Sequence, residues 1–370
     1  MTAASPKAPA ESQRHRTRLS FLDDEVDGAS VVWGLGAVSL LLVGVYFGSG
    51  GMRWFDAALS GYLLGVLLAT FAVVYRYRVW LQRPPTKLLN QRGWQALTRR
   101  GKRASNTAAL GGLVATNLAG QGFIRRRSTS RWMAHQLVFW GCILAGLVTF
   151  PLTFGWLHFE SVGQDSEQYR AYVFDIGTMD FGSRSFIGFL VFHLLNISAV
   201  LVIAGVVVFL YRRLNDPGAI AVERAGDFAA LAGLFAVSIT GLFLTASSLW
   251  LEGRGYVFLN TVHALTVILG LMYIPFGKLF HIFQRPANLG VHFYRREAEA
   301  GEAQTCRSCG EGFASQLQMS DLKMVLPQVG FDYTIDATTD VAAGNWQDTC
   351  PRCRRKNVAL AQTRRVDGFG

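Results

Sequence analysis

Six stretches of this chain are apolar at nearly every position rather than at every third or fourth: Val31 to Phe47, Ala57 to Trp80, Trp132 to Trp156, Phe186 to Tyr211, Phe228 to Trp250 and Val257 to Phe283. A helix of about 20 residues rises roughly 30 Å, the depth of a bilayer's hydrocarbon core, so the pattern predicts six transmembrane helices. Polar positions gather around them. Residues 1–28 are polar and basic, without an apolar core ending in a small-residue cleavage site, and read as a mobile tail rather than a signal peptide. In the long connection over residues 81–131, Leu88, Leu89, Trp94 and Leu97 recur among Lys87, Arg92, Arg99 and Arg100. That spacing predicts a short amphipathic helix on the lipid surface, a solvated basic linker being the plainer alternative. Gly61 and Gly65 have the small-xxx-small spacing of close helix packing. The membrane domain thus covers residues 29–286, and a smaller unit follows over residues 300–360.

Composition agrees with this pattern. Hydrophobic residues make up 51% and charged ones 16%, with a mean hydropathy of +0.25, which places the chain outside ordinary soluble domains. Trp54, Trp80, Trp132, Trp156 and Trp250 fall at or beside span ends, as an interfacial belt requires. Eleven Lys and Arg lie between Leu81 and Arg131, against two between Leu157 and Arg184, so the first of these connections is expected to be cytoplasmic. With six spans both termini are then cytoplasmic, in a multi-pass protein of the bacterial inner (plasma) membrane. The connection bearing Glu160, Asp165, Glu167, Asp175 and Asp180 faces outward. The net charge of +11 is mostly this inside bias, and the basic clusters border spans rather than line one folded face, which argues against nucleic acid as a partner.

Seven histidines occur, and their depths differ. His15 lies in the tail, His292 beyond the last span and His158 at the outer end of the third. His135, His193, His263 and His281 fall inside spans, where ionisable side chains are costly and rare. His263 and His281 are 18 residues apart (281 − 263), about five whole turns of one continuous helix, so both leave one face roughly 27 Å apart. By depth, His135 matches His281 on the inner side and His193 matches His263 on the outer side. One histidine from each of two facing helices is what a six-coordinate haem iron needs, so the pattern predicts two b-type haems, with one haem or none as alternatives. A lone intramembrane histidine more simply hydrogen-bonds between helices; the matched pairs are what argue for ligation. His158 is the rival to His193. Lys278, one turn before His281, pairs with a haem propionate or else snorkels to the interface, and Arg131 and Arg285 are further propionate candidates. Pro275 cannot donate to the carbonyl of Leu271 and predicts a kink.

Four of the five cysteines form Cys306-x-x-Cys309 and Cys350-x-x-Cys353. Two such knuckles bring four thiolates to one soft ion, so a small metal ribbon is expected. Zinc is the default for this donor set; "CRSCG" and "CPRC" also resemble rubredoxin knuckles, which leaves a single iron open, with an iron-sulfur cluster a lesser alternative. Cys142, inside the third span, is expected to pack.

The run "IPFGKLFHIFQRP" from Ile274 to Pro286, the "SITGLFL" of the fifth span and the His263/His281 spacing resemble the gamma-subunit-like cytochromes b of respiratory nitrate reductase. Related subunits accompany heterodisulfide-reductase-like and sulfite-reduction complexes. The resemblance covers roughly Arg131 to Pro286. It implies a bundle that holds two b haems and passes electrons between the quinone pool and a cytoplasmic partner. One feature departs from it: in that subunit the other two ligands lie ten residues apart on one helix, whereas ten residues after His135 stands Ala145, so the outer haem must recruit His193 from the next helix or be missing. The expected protein is therefore an all-α, six-transmembrane-helix bundle with a small cytoplasmic four-cysteine metal ribbon. It would be the quinol- or quinone-reactive cytochrome b subunit of a larger oxidoreductase, exchanging electrons with an iron-sulfur or molybdenum subunit, with quinol bound near the outer haem. The alternative is a haem-free or single-haem anchor or transporter whose zinc ribbon recruits a soluble partner. No nucleophile-base pair, phosphate loop or dinucleotide fingerprint is evident, so chemistry on the final substrate is assigned to another chain.

Overall fold

The computed structural model describes residues 26–163, 167–216, 225–335 and 343–366; the basic tail up to residue 25, with His15, and Asp165 lie outside them. In chain order come α1 (Gly28–Gly48), α2 (Ser60–Gln82), α3 (Pro84–Leu97), α4 (Arg103–Leu113), α5 (Gly122–Arg125), α6 (Thr129–Thr153), α7 (Phe186–Asn215), α8 (Ala225–Trp250) and α9 (Tyr256–Tyr273). Six of these, α1, α2 and α6 to α9, are long and apolar enough to cross a membrane, which suits a protein associated with a lipid bilayer. Side-chain caps start α1 and α7: Asp27 accepts from the Ser30 N–H at 2.9 Å, and Ser185 from the Gly188 N–H at 3.1 Å.

The six pack in the order α1, α2, α9, α8, α7, α6. The Trp156 indole, just past α6, donates to the Gly44 carbonyl of α1 at 2.9 Å and brings the first and last members of that row together. Small residues set the tightest seams. A Cβ on Gly141 would lie 2.9 Å from the Ser198 carbonyl and one on Gly205 2.7 Å from the Ala134 carbonyl, so α6 and α7 approach backbone to backbone. Gly61 and Gly65 face the Ile268 side chain of α9, which a Cβ would meet only at ordinary contact distance of 3.6–3.7 Å. Cys142 packs beside the buried cluster of Val202, Val206 and Leu231. The outward faces stay apolar: Val257, Phe258, Leu265 and Leu269 are all exposed on α9, an arrangement suited to lipid and unfavourable in water.

Two features differ from the expected pattern. The expected fold is all-α, but its outer connection is an antiparallel sheet, β1 (Leu157–Ser161), β2 (Gln168–Val173) and β3 (Ile176–Gly182), in that order. Arg170 of β2 forks onto Asp180 of β3 at 2.5 and 2.7 Å, so one of its acidic residues serves as a cross-strand partner. The second difference corrects the expected single helix through His263 and His281. Here α9 stops at Tyr273, Gly277 is extended (φ −93°, ψ −170°), a short 3-10 turn covers Lys278–Phe280, and a new helix, α10 (His281–Glu299), begins. The cause is partly local and partly tertiary: Pro275 has no N–H for the Leu271 carbonyl, and the guanidinium of Arg76 in α2 takes up the carbonyl of Pro275 itself. The two histidines therefore do not share one helical face.

Helix α10 packs against α3, where Gly93 and Gly290 meet so closely that a Cβ on Gly93 would stand 2.8 Å from the Gly290 carbonyl. The amphipathic segment of the basic connection is thus helical, with Trp94 left exposed beside this contact. The ribbon follows: β4 (Ala303–Thr305), β5 (Gly312–Ser315), α11 (Gln316–Gln328), β6 (Thr334–Ile335), β7 (Gly344–Asn345) and α12 (Pro351–Val366). Asp321 of α11, buried to 3% exposure, fastens it to the rest. Arg92 of α3 grips both of its oxygens at 2.7 and 3.1 Å, and the Tyr294 hydroxyl of α10 donates to it at 3.0 Å. Burial and this carboxylate together push the Tyr294 phenol up to about 12. Asp321→Ala should cost about 2–4 kcal/mol, because it leaves Arg92 and Tyr294 without their acceptor. Faster hydrogen exchange in α11, with the spans unchanged, is the expected readout.

Candidate functional site

At the end of the bundle that bears the basic connection, the first turns of α6 and the start of α10 bring two imidazoles face to edge. The rings of His135 and His281 have centroids 6.4 Å apart and planes at 74°. Two imidazoles on opposite sides of one iron have centres roughly 6 Å apart, each with a nitrogen on the line between them, so the spacing suits ligation once the edge-to-face tilt is turned. The Nδ1 of His281 lies 2.6 Å from the Lys278 carbonyl, which fixes that ring's orientation and leaves Nε2 as the free donor. On the other side, Phe209 of α7 packs edge-on against His135 at 6.4 Å, and the Nδ1 of His135 is buried without a hydrogen-bond partner. A buried polar nitrogen left unpaired carries a desolvation cost that a ligand would relieve. Lys278 is exposed on the turn between the break and His281.

The outer pair is arranged differently. The Nδ1 of His263 lies 2.9 Å from the Thr240 hydroxyl of α8, and a Cβ on Gly241, beside it, would stand 3.4 Å from the same imidazole. His193 of α7 has its Nδ1 3.4 Å from the Asn196 amide, whose oxygen accepts from Thr245 of α8 at 2.9 Å. Both rings are half-buried and both are oriented through Nδ1 by α8 or by a residue that α8 holds. Among the described residues no ring contact joins His193 to His263, since α8 packs against both of their helices. His158 is placed elsewhere: β1 stacks it between Trp54 (3.9 Å, 13°) and Tyr172 (4.9 Å, 4°). Burial in that stack holds its pKa below the usual histidine range.

No known family, curated protein or solved structure matches this chain. The site must be judged on its own geometry.

The clearest convergence is in the ribbon. The Sγ atoms of Cys306, Cys309, Cys350 and Cys353 all lie within 4.8 Å of one another, so the four can hold a metal ion. Bonds of about 2.3 Å to a tetrahedral zinc set the sulfurs roughly 3.8 Å apart, a small contraction from this arrangement. The backbone prepares the sulfurs for charge. The Cys350 and Ser308 N–H groups point at Cys306 Sγ at 3.2 and 3.4 Å, and the Cys353 N–H points at Cys350 Sγ at 3.4 Å. The Cys350 amide above all, with its neighbours, brings the Cys306 thiol down to about 6, whereas sharing hydrogen bonds with the other sulfurs, Cys350 first, pushes Cys353 up to about 12. Gly310, with φ +73°, makes the first knuckle's turn, and its N–H returns to the Cys306 carbonyl at 2.8 Å.

Sequence reasoning missed the residues that join these sites. Arg92, Tyr294 and Asp321 carry no motif, and their contact spans 229 residues between Arg92 and Asp321. A basic residue on an apolar-patterned surface helix was the only available signal.

Proposed function

We propose that the chain is the membrane cytochrome b subunit of a multi-subunit oxidoreductase of the bacterial inner membrane, with its basic connection, both termini and ribbon in the cytoplasm. The observation that carries this reading is the facing of His135 and His281 at 6.4 Å, with the Nδ1 of His281 already tied to a backbone carbonyl. Haem b at this pair, and a second at His193 and His263, supplies one-electron transfer when bound. The protein's own part is to fix the ligands. Lys278 orients His281 through its carbonyl, and Lys278, Arg131 and Arg285 place positive charge at the end of the bundle where propionates need it. Thr240 holds His263, and Asn196, braced by Thr245, holds His193. The outer site has the weaker support, because its two rings share no contact. The ribbon, fastened to α10 by Asp321, suits the docking of a cytoplasmic iron-sulfur or molybdenum subunit, with the quinone pool as the other redox partner. The motif resemblance of Ile274 to Pro286 to nitrate reductase gamma subunits suggested the class and says nothing of the terminal substrate.

The purified chain should show a Soret band and, after reduction, an α-band, with two haems per chain by stoichiometry. One haem would confine the reading to His135 and His281. A colourless protein overturns it in favour of an anchor or transporter with a metal ribbon.

A further inference from the structure

We infer that the outer sheet carries an acid-sensitive latch: His158 must leave its place between Trp54 and Tyr172 to take up a proton, and the sheet then loosens from the connection between α1 and α2. The inference needs neither haem nor the metal of the ribbon. His158 stands directly opposite Tyr172 in the pairing of β1 with β2, and Trp54 comes from the connection between α1 and α2. Within this stack both ring nitrogens of His158 are buried, and neither has a hydrogen-bond partner. A neutral imidazole carries one donor and one acceptor there, whereas an imidazolium carries two donors and a charge, which the same place solvates far worse. The aromatic faces give little relief, because the Arg53 guanidinium already lies 4.7 Å from the centre of the Trp54 ring.

The charged groups around the ring are few. Glu160 on its own strand and Asp175 in the turn between β2 and β3 favour the imidazolium, and Arg53 opposes it. Tyr172 of β2 is uncharged in the range concerned. Burial is the largest influence and keeps the ring neutral. The neutral stack therefore supports the sheet fully above the ordinary histidine value of about 6.5, and this support is lost as pH falls below it toward the depressed pKa.

What the stack holds is a strained turn. Phe174 and Asp175 join β2 to β3 with φ of +51° and +64°, a left-handed pair that residues with a Cβ rarely adopt. Two hydrogen bonds brace it: the Trp54 indole donates to Asp175 Oδ1 at 2.8 Å, and the Phe174 N–H donates to the Trp156 carbonyl at 2.8 Å. Trp54 thus meets His158 with its face and Asp175 with its edge, so a single residue ties the stack to the turn. Once His158 departs, Trp54 loses a covering ring and the turn loses the rigidity of one of its two braces. The other brace ends on Trp156, the residue whose indole joins α6 to α1.

The test is hydrogen exchange of the full purified chain in lipid nanodiscs at about pH 7.5 and about pH 5, on either side of the histidine range, with each rate corrected for intrinsic exchange. Amides of β1 to β3 should lose protection at the acid pH by about tenfold for each unit by which folding depresses the His158 pKa, while α8 keeps its protection. His158→Phe keeps a flat ring in the stack and has no proton to take up, so its sheet should be equally protected at both pH values. His158→Gln, smaller and uncharged, should be less protected than the parent at neutral pH and equally indifferent to acid, and it decides the matter if the phenylalanine variant does not fold. No acid loss in the parent, the same loss in these variants, or a loss shared evenly by the sheet and α8 would each overturn the inference.

Discussion

His281→Ala should remove one haem of two, halving the reduced α-band, and His135→Ala should remove the same half. The double variant should lose no more than either single one. This non-additivity is the signature of two residues serving one iron, since a six-coordinate haem deprived of an axial ligand is lost or converted as a unit. His193→Ala and His263→Ala should together account for the other half. The competing picture, in which each histidine merely hydrogen-bonds between helices, predicts something else: unchanged pigment and a stability loss of about 1 kcal/mol per residue. Variants with full haem content at both His135→Ala and His281→Ala would rule out the inner site outright. Lys278→Ala provides a finer comparison. It keeps the backbone carbonyl that orients His281, so haem should stay bound, and any shift in potential reports the lysine's charge alone.

Stripping the metal from the ribbon should unfold it while leaving the spans intact. A structural four-thiolate zinc site contributes about 10–16 kcal/mol of apparent binding energy, far more than strands of two to four residues and a few buried side chains can replace. Chelator or Cys306→Ser should therefore raise hydrogen exchange from Ala303 to Asp348 to the level of an unfolded chain. The sign of the pH effect is set by the thiolates. The ion binds thiolates and competes with protons for all four sulfurs, so its contribution to the fold is lost as acid protonates them, Cys306 being the one whose thiolate the Cys350 amide favours most. Metal should be released on acidification and never on mild alkalinisation. Colour separates the candidate ions: iron in four thiolates absorbs in the visible and zinc does not, so metal analysis beside a spectrum decides between an electron-carrying and a purely structural ribbon.

Local patterns were legible in the sequence and long-range ones were not. Spans such as Phe186–Asn215 announce themselves because lipid demands apolar residues all round a helix, and the C-x-x-C knuckles do so because a metal demands ligands at fixed spacing. The break before His281 was half legible: Pro275 signalled a kink, but the extended Gly277 and the capture of the Pro275 carbonyl by Arg76 depend on a helix 199 residues away. The outer sheet escaped because its alternation in Gln168–Val173 is short and lies in a connection read only for its charge. Which helix would stand between His193 and His263 is a question of packing order, and depth alone is silent on it.

The interruption at Pro275 and Gly277 also divides the support of the histidines. Because α9 ends before it and α10 begins after it, His281 stands on the helix that Tyr294 and Asp321 tie to the ribbon, whereas His263 stands on the helix that packs against α2 and α8. A change in the ribbon's anchorage therefore bears on the inner pair first, and the outer histidine keeps its own support from Thr240.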